Sequence, residues 1–163
     1  MVDGGIAMGE ILMVYASLSG NTEIITDIIA GNLQNLGHDV EIKSFDFDVI
    51  EIDELGQYDA VLVGTYTWDD GELPYESEDF YIDLEDGNIQ GQIFGVYGSA
   101  DSFYDTFGLA IDVFADRVKN LGANVVEESL KIDLSPDKED EERCKNYAKR
   151  VSQMIQEKNK ASA

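Results

Sequence analysis

The sequence contains one cysteine, one histidine, one tryptophan and two prolines in 163 residues. A single cysteine excludes an internal disulfide framework, a cysteine-based zinc site and a cysteine-held iron–sulfur cluster. Long apolar runs are missing as well. None approaches the ~18 to 20 residues of a membrane-spanning helix, and the first residues lack the basic-then-apolar pattern of a secretory signal. Cations are scarcer still: 11 Lys and Arg stand against 34 Asp and Glu, a formal charge of −23. Such a surface is repelled by phosphate backbones and anionic lipid, which excludes nucleic-acid and membrane-surface roles. The 44% hydrophobic content, set in regular apolar runs, argues against disorder. The expectation is one cytoplasmic α/β domain, monomeric, with a basic partner.

The charge is unevenly spread. Residues 1–42 hold no Lys or Arg, and after Lys43 none appears until Arg117. Segment 44–116 carries 19 acids and no base. For any single acid a solvated face explains this. Half a molecule without a cation also makes a long-range field that orients a positively charged macromolecule.

Apolar runs and amphipathic stretches alternate. Ile11–Ala16 is a short apolar run ending at the turn sequence Ser17–Thr22. Ile25, Ile28, Ile29, Leu33 and Leu36 then repeat at helical spacing, and Gly37 is the expected stop. Asp39–Ser44 alternates polar and apolar, and Ala60–Gly64 and Ile93–Tyr97 are further apolar runs, with a short helix near Ser77–Leu84 between them. Phe107, Ala110, Ile111, Phe114, Val118 and Leu121 mark a longer helix, and Val125–Ile132 reads as the last strand. Cys144, Tyr147, Ala148, Val151, Met154 and Ile155 form the buried stripe of a final helix that begins after Ser135-Pro136. Five strands separated by helices predict a parallel sheet covered on both faces, a three-layer α/β sandwich. Strands one, three and four are continuously apolar, as interior strands are. The second alternates, and the fifth carries Glu127, Glu128 and Ser129, so both read as edges. The order 2-1-3-4-5 follows. A ligand then sits beyond the C-terminal ends of strands one and three, where the order reverses.

Three loops leave that end of the sheet. Ser17-Leu18-Ser19-Gly20-Asn21-Thr22 leads directly into a helix. Its hydroxyls, glycine and helix N-terminus suit either a capping loop or an anion cradle of neutral donors. It is not a nucleotide P-loop, because no Gly-Lys-Ser/Thr follows. Thr65-Tyr66-Thr67-Trp68-Asp69-Asp70-Gly71-Glu72 puts the tryptophan in a polar loop, where a core indole is not expected. Gly98-Ser99-Ala100-Asp101-Ser102-Phe103-Tyr104 supplies a second aromatic. Two rings facing each other across a crevice, beside a phosphate cradle, point to flavin mononucleotide (FMN).

These loops resemble those of the flavodoxins, and the resemblance spans the chain from Met8 to the last helix. Ser17–Thr22 is similar to the family's phosphate loop. Gly64–Trp68 with Gly71-Glu72-Leu73-Pro74 looks like its first isoalloxazine loop, and Asp101–Tyr104 followed by Phe107 looks like its second. Flavodoxins are themselves a standard example of the crevice rule, so that placement follows from the resemblance. The length resembles the short-chain branch. The resemblance implies that Ser17, Leu18, Ser19, Gly20, Asn21 and Thr22 hold the FMN phosphate. Thr65, Tyr66, Thr67, Trp68 and Asp69 would line the ribityl chain and inner ring face. Ser99, Ala100 and Asp101 would meet the pyrimidine edge, Tyr104 would stack outside, and Phe107 would close the site. It further implies a low-potential one-electron carrier, cycling between semiquinone and hydroquinone. Its acidic rim would dock on basic redox proteins of the flavodoxin/ferredoxin reductase type and on electron acceptors. Residues 1–9 are expected as a flexible extension, 10–158 as the domain and 159–163 as a tail.

Two positions depart from the family pattern. The Asp69–Asp70 peptide stands where glycine usually lets the backbone flip, which predicts a less stabilised semiquinone. Ala100 replaces another frequent glycine. Other chemistries find little support. His38, after Gly37, is expected to be a solvent-exposed structural residue, and Cys144 to be packing. Ser17 and Ser19 have no paired histidine, and three acids in one loop make no metal site. A quinone or NAD(P)H oxidoreductase using FMN on the same fold is the alternative. A signalling receiver fits poorly, because it needs an acid where Thr65 stands.

Overall fold

The computed structural model describes residues 9–68, 71–104 and 106–162. In chain order these form β1 (Glu10–Tyr15), α1 (Asn21–Asn35), β2 (Asp39–Ser44), β3 (Ala60–Tyr66), α2 (Glu78–Asp83), β4 (Ile93–Ala100), α3 (Leu109–Asn120), β5 (Asn124–Val125), β6 (Leu130–Asp133) and α4 (Lys138–Ser162). The sheet runs β2-β1-β3-β4-β5, with β6 also pairing to β4, and every pair is parallel. No described helix is long and apolar enough to cross a membrane.

Strand alternation explains the layers. Ile11 and Met13 of β1, Ala60 and Leu62 of β3, and Ile93 and Tyr97 of β4 point to one face, where α1 and α4 cover them. Leu12, Val14, Val61, Val63, Phe94 and Val96 point to the other, against Phe80, Ile111, Phe114 and Val118. Period-two geometry applied to apolar strands thus creates two cores that only flanking helices can close. On the first face a tyrosine is accommodated by a glycine: a Cβ on Gly64 would lie 2.5 Å from Tyr97 Cζ. The Thr26 hydroxyl donates to Thr22 O at 2.8 Å, so Tyr97 Oη, 2.7 Å away, is the donor to Thr26 Oγ1. Burial pushes the Tyr97 phenol far above its ordinary range.

The fifth strand departs from the sequence reading. Glu127, Glu128 and Ser129 break it into β5 and β6 instead of lying within one edge strand. Arg150 of α4 donates to Glu128 O in the break at 3.1 Å, and Arg143 of α4 donates to Lys131 O of β6 at 2.9 Å. Phe107 falls in the turn before α3, which starts only at Leu109. The last helix continues through 159–162, the stretch read as a tail, while 1–8 lie outside the described residues. On β2 the alternation gives an edge, and Ile42 is left exposed.

His38 corrects another expectation, because it is buried. Its Nδ1 accepts the Gly9 N–H at 2.9 Å, which places the ring proton on Nε2, donated to Ser152 Oγ at 2.7 Å. One ring therefore ties the entry to β1, the α1–β2 turn and α4 together. Its position right after the α1 stop places it under α4, which the periodicity of α1 alone does not reveal. Cys144 is buried as expected, and burial raises its thiol to about 11, unfavourable for thiolate chemistry.

Gly64→Ala is expected to destabilise the fold by about 1–3 kcal/mol through overpacking against Tyr97, read as a lower urea midpoint with an unchanged slope. Desolvation lowers the His38 pKa despite the opposing influence of Asp59. The unfolded chain therefore takes up this proton first. Stability is expected to hold above about pH 6.5 and to fall as pH drops from there through the lowered folded value. In urea titrations across pH, His38→Gln should flatten that limb.

Candidate functional site

All three predicted loops emerge beyond the C-terminal ends of β1, β3 and β4. The first turns at Gly20, whose φ of +94° is open to glycine and strained for other residues. Ser17 Oγ accepts the N–H groups of Gly20 at 3.2 Å and Glu23 at 3.3 Å. It thus caps the loop and helix head instead of facing outward. Among the described residues, the backbone N–H groups of Leu18, Ser19, Asn21 and Thr22 have no acceptor. Four unpaired donors at the positive end of a helix make a cradle of the kind that suits an anion. No Lys or Arg lines it, and the nearest in sequence, Lys43, is engaged by Val49 O and Glu41.

Thr22 Oγ1 and Ser99 Oγ lie 3.1 Å apart and buried, so these hydroxyls join the cradle to the third loop from beneath. In the second loop, Thr65 is buried and its hydroxyl donates to Tyr66 O at 2.9 Å. Tyr66 Oη donates to Glu76 Oε2 at 3.0 Å. Burial, then that carboxylate, push the phenol well above its ordinary range. Trp68 and Glu72 exchange backbone hydrogen bonds at 2.8 and 2.7 Å, closing a tight hairpin. Asp69 and Asp70, next in sequence, lie outside the described residues. Thr67 Oγ1 accepts the Ala110 N–H at 3.2 Å, fastening this loop to the head of α3.

In the third loop Asp101 Oδ1 accepts the Phe103 N–H at 2.9 Å. Asp133, at the end of β6, accepts both the N–H and the hydroxyl of Ser102, and these bonds hold its carboxyl below the usual range. The large rings stay outside the core: Trp68 is 47% and Tyr104 60% exposed.

Between the loops lies a cleft of about 280 Å³, bounded by Leu18, Thr67 and Trp68 on one side and Asp101, Tyr104 and Phe107 on the other. A second cleft of about 170 Å³ reaches toward Ser19, Asn21, Ser99 and Ala100. Both share Leu18, Tyr66, Thr67 and Asp101, which makes them one trench. The described residues of the predicted set lie together at this end of the sheet, while Asp69 lies outside the described residues. The side chains of Ser17, Thr22 and Thr65 bond within the walls, and Gly20 supplies the turn. Thr106, Gly108 and Leu134 also border the trench and were missed. Leu134 directly follows the last strand, so the rule that ligands gather at strand C-termini could have found it. Among the described residues no group of three or more His, Cys, Asp or Glu could hold a metal ion.

Residues 13–158 match the family model described as Flavodoxin. The chain is 40% identical over 143 residues to probable flavodoxin 1 of Bacillus subtilis (strain 168), covering 87% of this chain and 89% of that protein. It is 36% identical to a flavodoxin of Maridesulfovibrio salexigens, over 82% and 92% of the two chains. Among solved structures, oxidised flavodoxin 2 from Bacillus cereus superposes with a TM-score of 0.84 at 42% identity, covering 89% of this chain and 99% of that one.

Ser17→Ala is expected to cost about 1 kcal/mol of stability, the usual loss for a helix-end acceptor. Thermal melts of the protein without cofactor check this.

Proposed function

The chain belongs to the flavodoxin family, FMN-binding electron carriers rather than enzymes, and on that premise we propose that the trench is its FMN site. The observation that carries the reading is the set of unpaired N–H donors at the end of a trench rimmed by two exposed aromatic rings. The N–H groups of Leu18, Ser19, Asn21 and Thr22, with the Ser19 and Asn21 side chains, hold the phosphate. Trp68 and Tyr104 stack on the two ring faces, and the backbone from Ser99 to Asp101 meets the pyrimidine edge. Asp69 belongs to the inner wall on the family pattern alone.

The bound flavin supplies the electron chemistry; the chain holds it, shields it and biases its potential. Neutral donors leave the phosphate charge formally uncompensated. Added electron density on the ring therefore meets a negative surround that includes Glu72 and Asp101. One carboxylate at ~10 Å opposes it by roughly 0.4 kcal/mol at water-like dielectric, or about 18 mV for one electron. Several such groups depress the lower couple by some tens of millivolts. Electron-rich rings against the flavin act in the same direction. The acid-only stretch from 44 to 116 runs through the second and third loops, so the rim suits basic redox proteins as donors and acceptors.

An anaerobic redox titration is expected to resolve two one-electron steps, the lower displaced below that of free FMN. Because exposed carboxylates are screened over about 10 Å at 0.1 M salt, raising ionic strength should move that step upward and slow reduction by a basic reductase. A single concerted two-electron step would remove the carrier reading.

A further inference from the structure

Leu134 is the described non-glycine residue with a left-handed backbone, at φ +59°. That region is unfavourable for a leucine because Cβ crowds the neighbouring carbonyl. The turn has a clear cause. The β4–β6 ladder ends at Ala100–Asp133, and the Leu134 N–H extends it by donating to Ala100 O at 2.7 Å. The chain must then leave the sheet to reach Pro136 and α4. Glycine would make the same turn without strain.

The leucine is not retained for the core. Its side chain is 51% exposed, and it borders the smaller cleft with Ser19, Asn21, Ser99 and Ala100. There it stands between the proposed phosphate cradle and the third loop. Its backbone neighbour Asp133 grips Ser102 of that loop, so the wall it forms is fixed relative to the cleft. We propose that Leu134 is a positioning residue for the cofactor: its side chain is the apolar outer wall of the passage joining phosphate cradle to ring site, and it slows FMN escape. Backbone strain at the β6 exit is tolerated to hold that wall in place. The proposal rests on the site reading above.

The test compares Leu134→Gly, Leu134→Asn and Leu134→Met with wild type in the full chain. Two quantities are measured: the FMN release rate, from recovery of flavin fluorescence, and the melting temperature without FMN. Glycine and asparagine tolerate the left-handed turn, so both variants should melt no lower than wild type. Both should release FMN faster, by about fivefold for loss of a half-buried apolar side chain, and methionine should restore slow release. Release within about twofold of wild type for Leu134→Gly overturns the proposal. So does a lowered melting temperature in step with faster release, which would make the residue merely a turn former. Riboflavin, which lacks the phosphate, separates the two levels. If wild type releases riboflavin as slowly as FMN, the cradle assignment falls and this proposal with it. If riboflavin leaves faster than FMN while Leu134→Gly holds FMN as wild type does, only the role of Leu134 falls.

Discussion

A parallel sheet whose interior strands are apolar on both faces must be covered from both sides. Ile11 and Met13 need α1 and α4 as much as Leu12 and Val14 need α3. Every crossover helix returns the chain to the same end of the sheet, so every strand-to-helix loop opens at the opposite end. The convergence of Ser17–Gly20, Thr65–Trp68 and Ser99–Tyr104 at one rim is a result of that covering requirement. Chemistry is then free to vary in loops that the cores do not depend on.

The loops are nevertheless joined to one another by specific bonds. Thr22 and Ser99 link the first to the third, Thr67 links the second to α3, and Asp133 holds the third to the end of β6. These bonds use side chains of ordinary chemistry, placed where strands end, and they hold the trench open between exposed rings. Among the described residues, the backbone N–H groups of Leu18, Ser19, Asn21 and Thr22 stay unpaired at one end of it.

Much of this was legible in the residues. Alternation separated the interior strands from the edges, and the order of the sheet followed. The three loops were found because polar residues and glycines interrupt apolar runs at regular places. Features set by tertiary contact were not legible. His38 follows a helix stop and looks like a loop residue until α4, far along the chain, covers it. The break in the last strand lies under α4, whose Arg150 takes up the Glu128 carbonyl. Ser17 has the composition of a ligand contact, yet its oxygen is directed to the backbone of its own loop. Leu134 carries no turn signature of its own, since its conformation is imposed by the end of a ladder.

Trp68 has a consequence beyond its place in the wall. It is the sole indole of the chain, and it stands half exposed at the mouth of the trench rather than in either core. Ultraviolet emission excited at the red edge therefore arises from one known position, with no background from the interior. The molecule carries an intrinsic reporter at the mouth of the trench, so events at that rim can be followed optically without attaching a label.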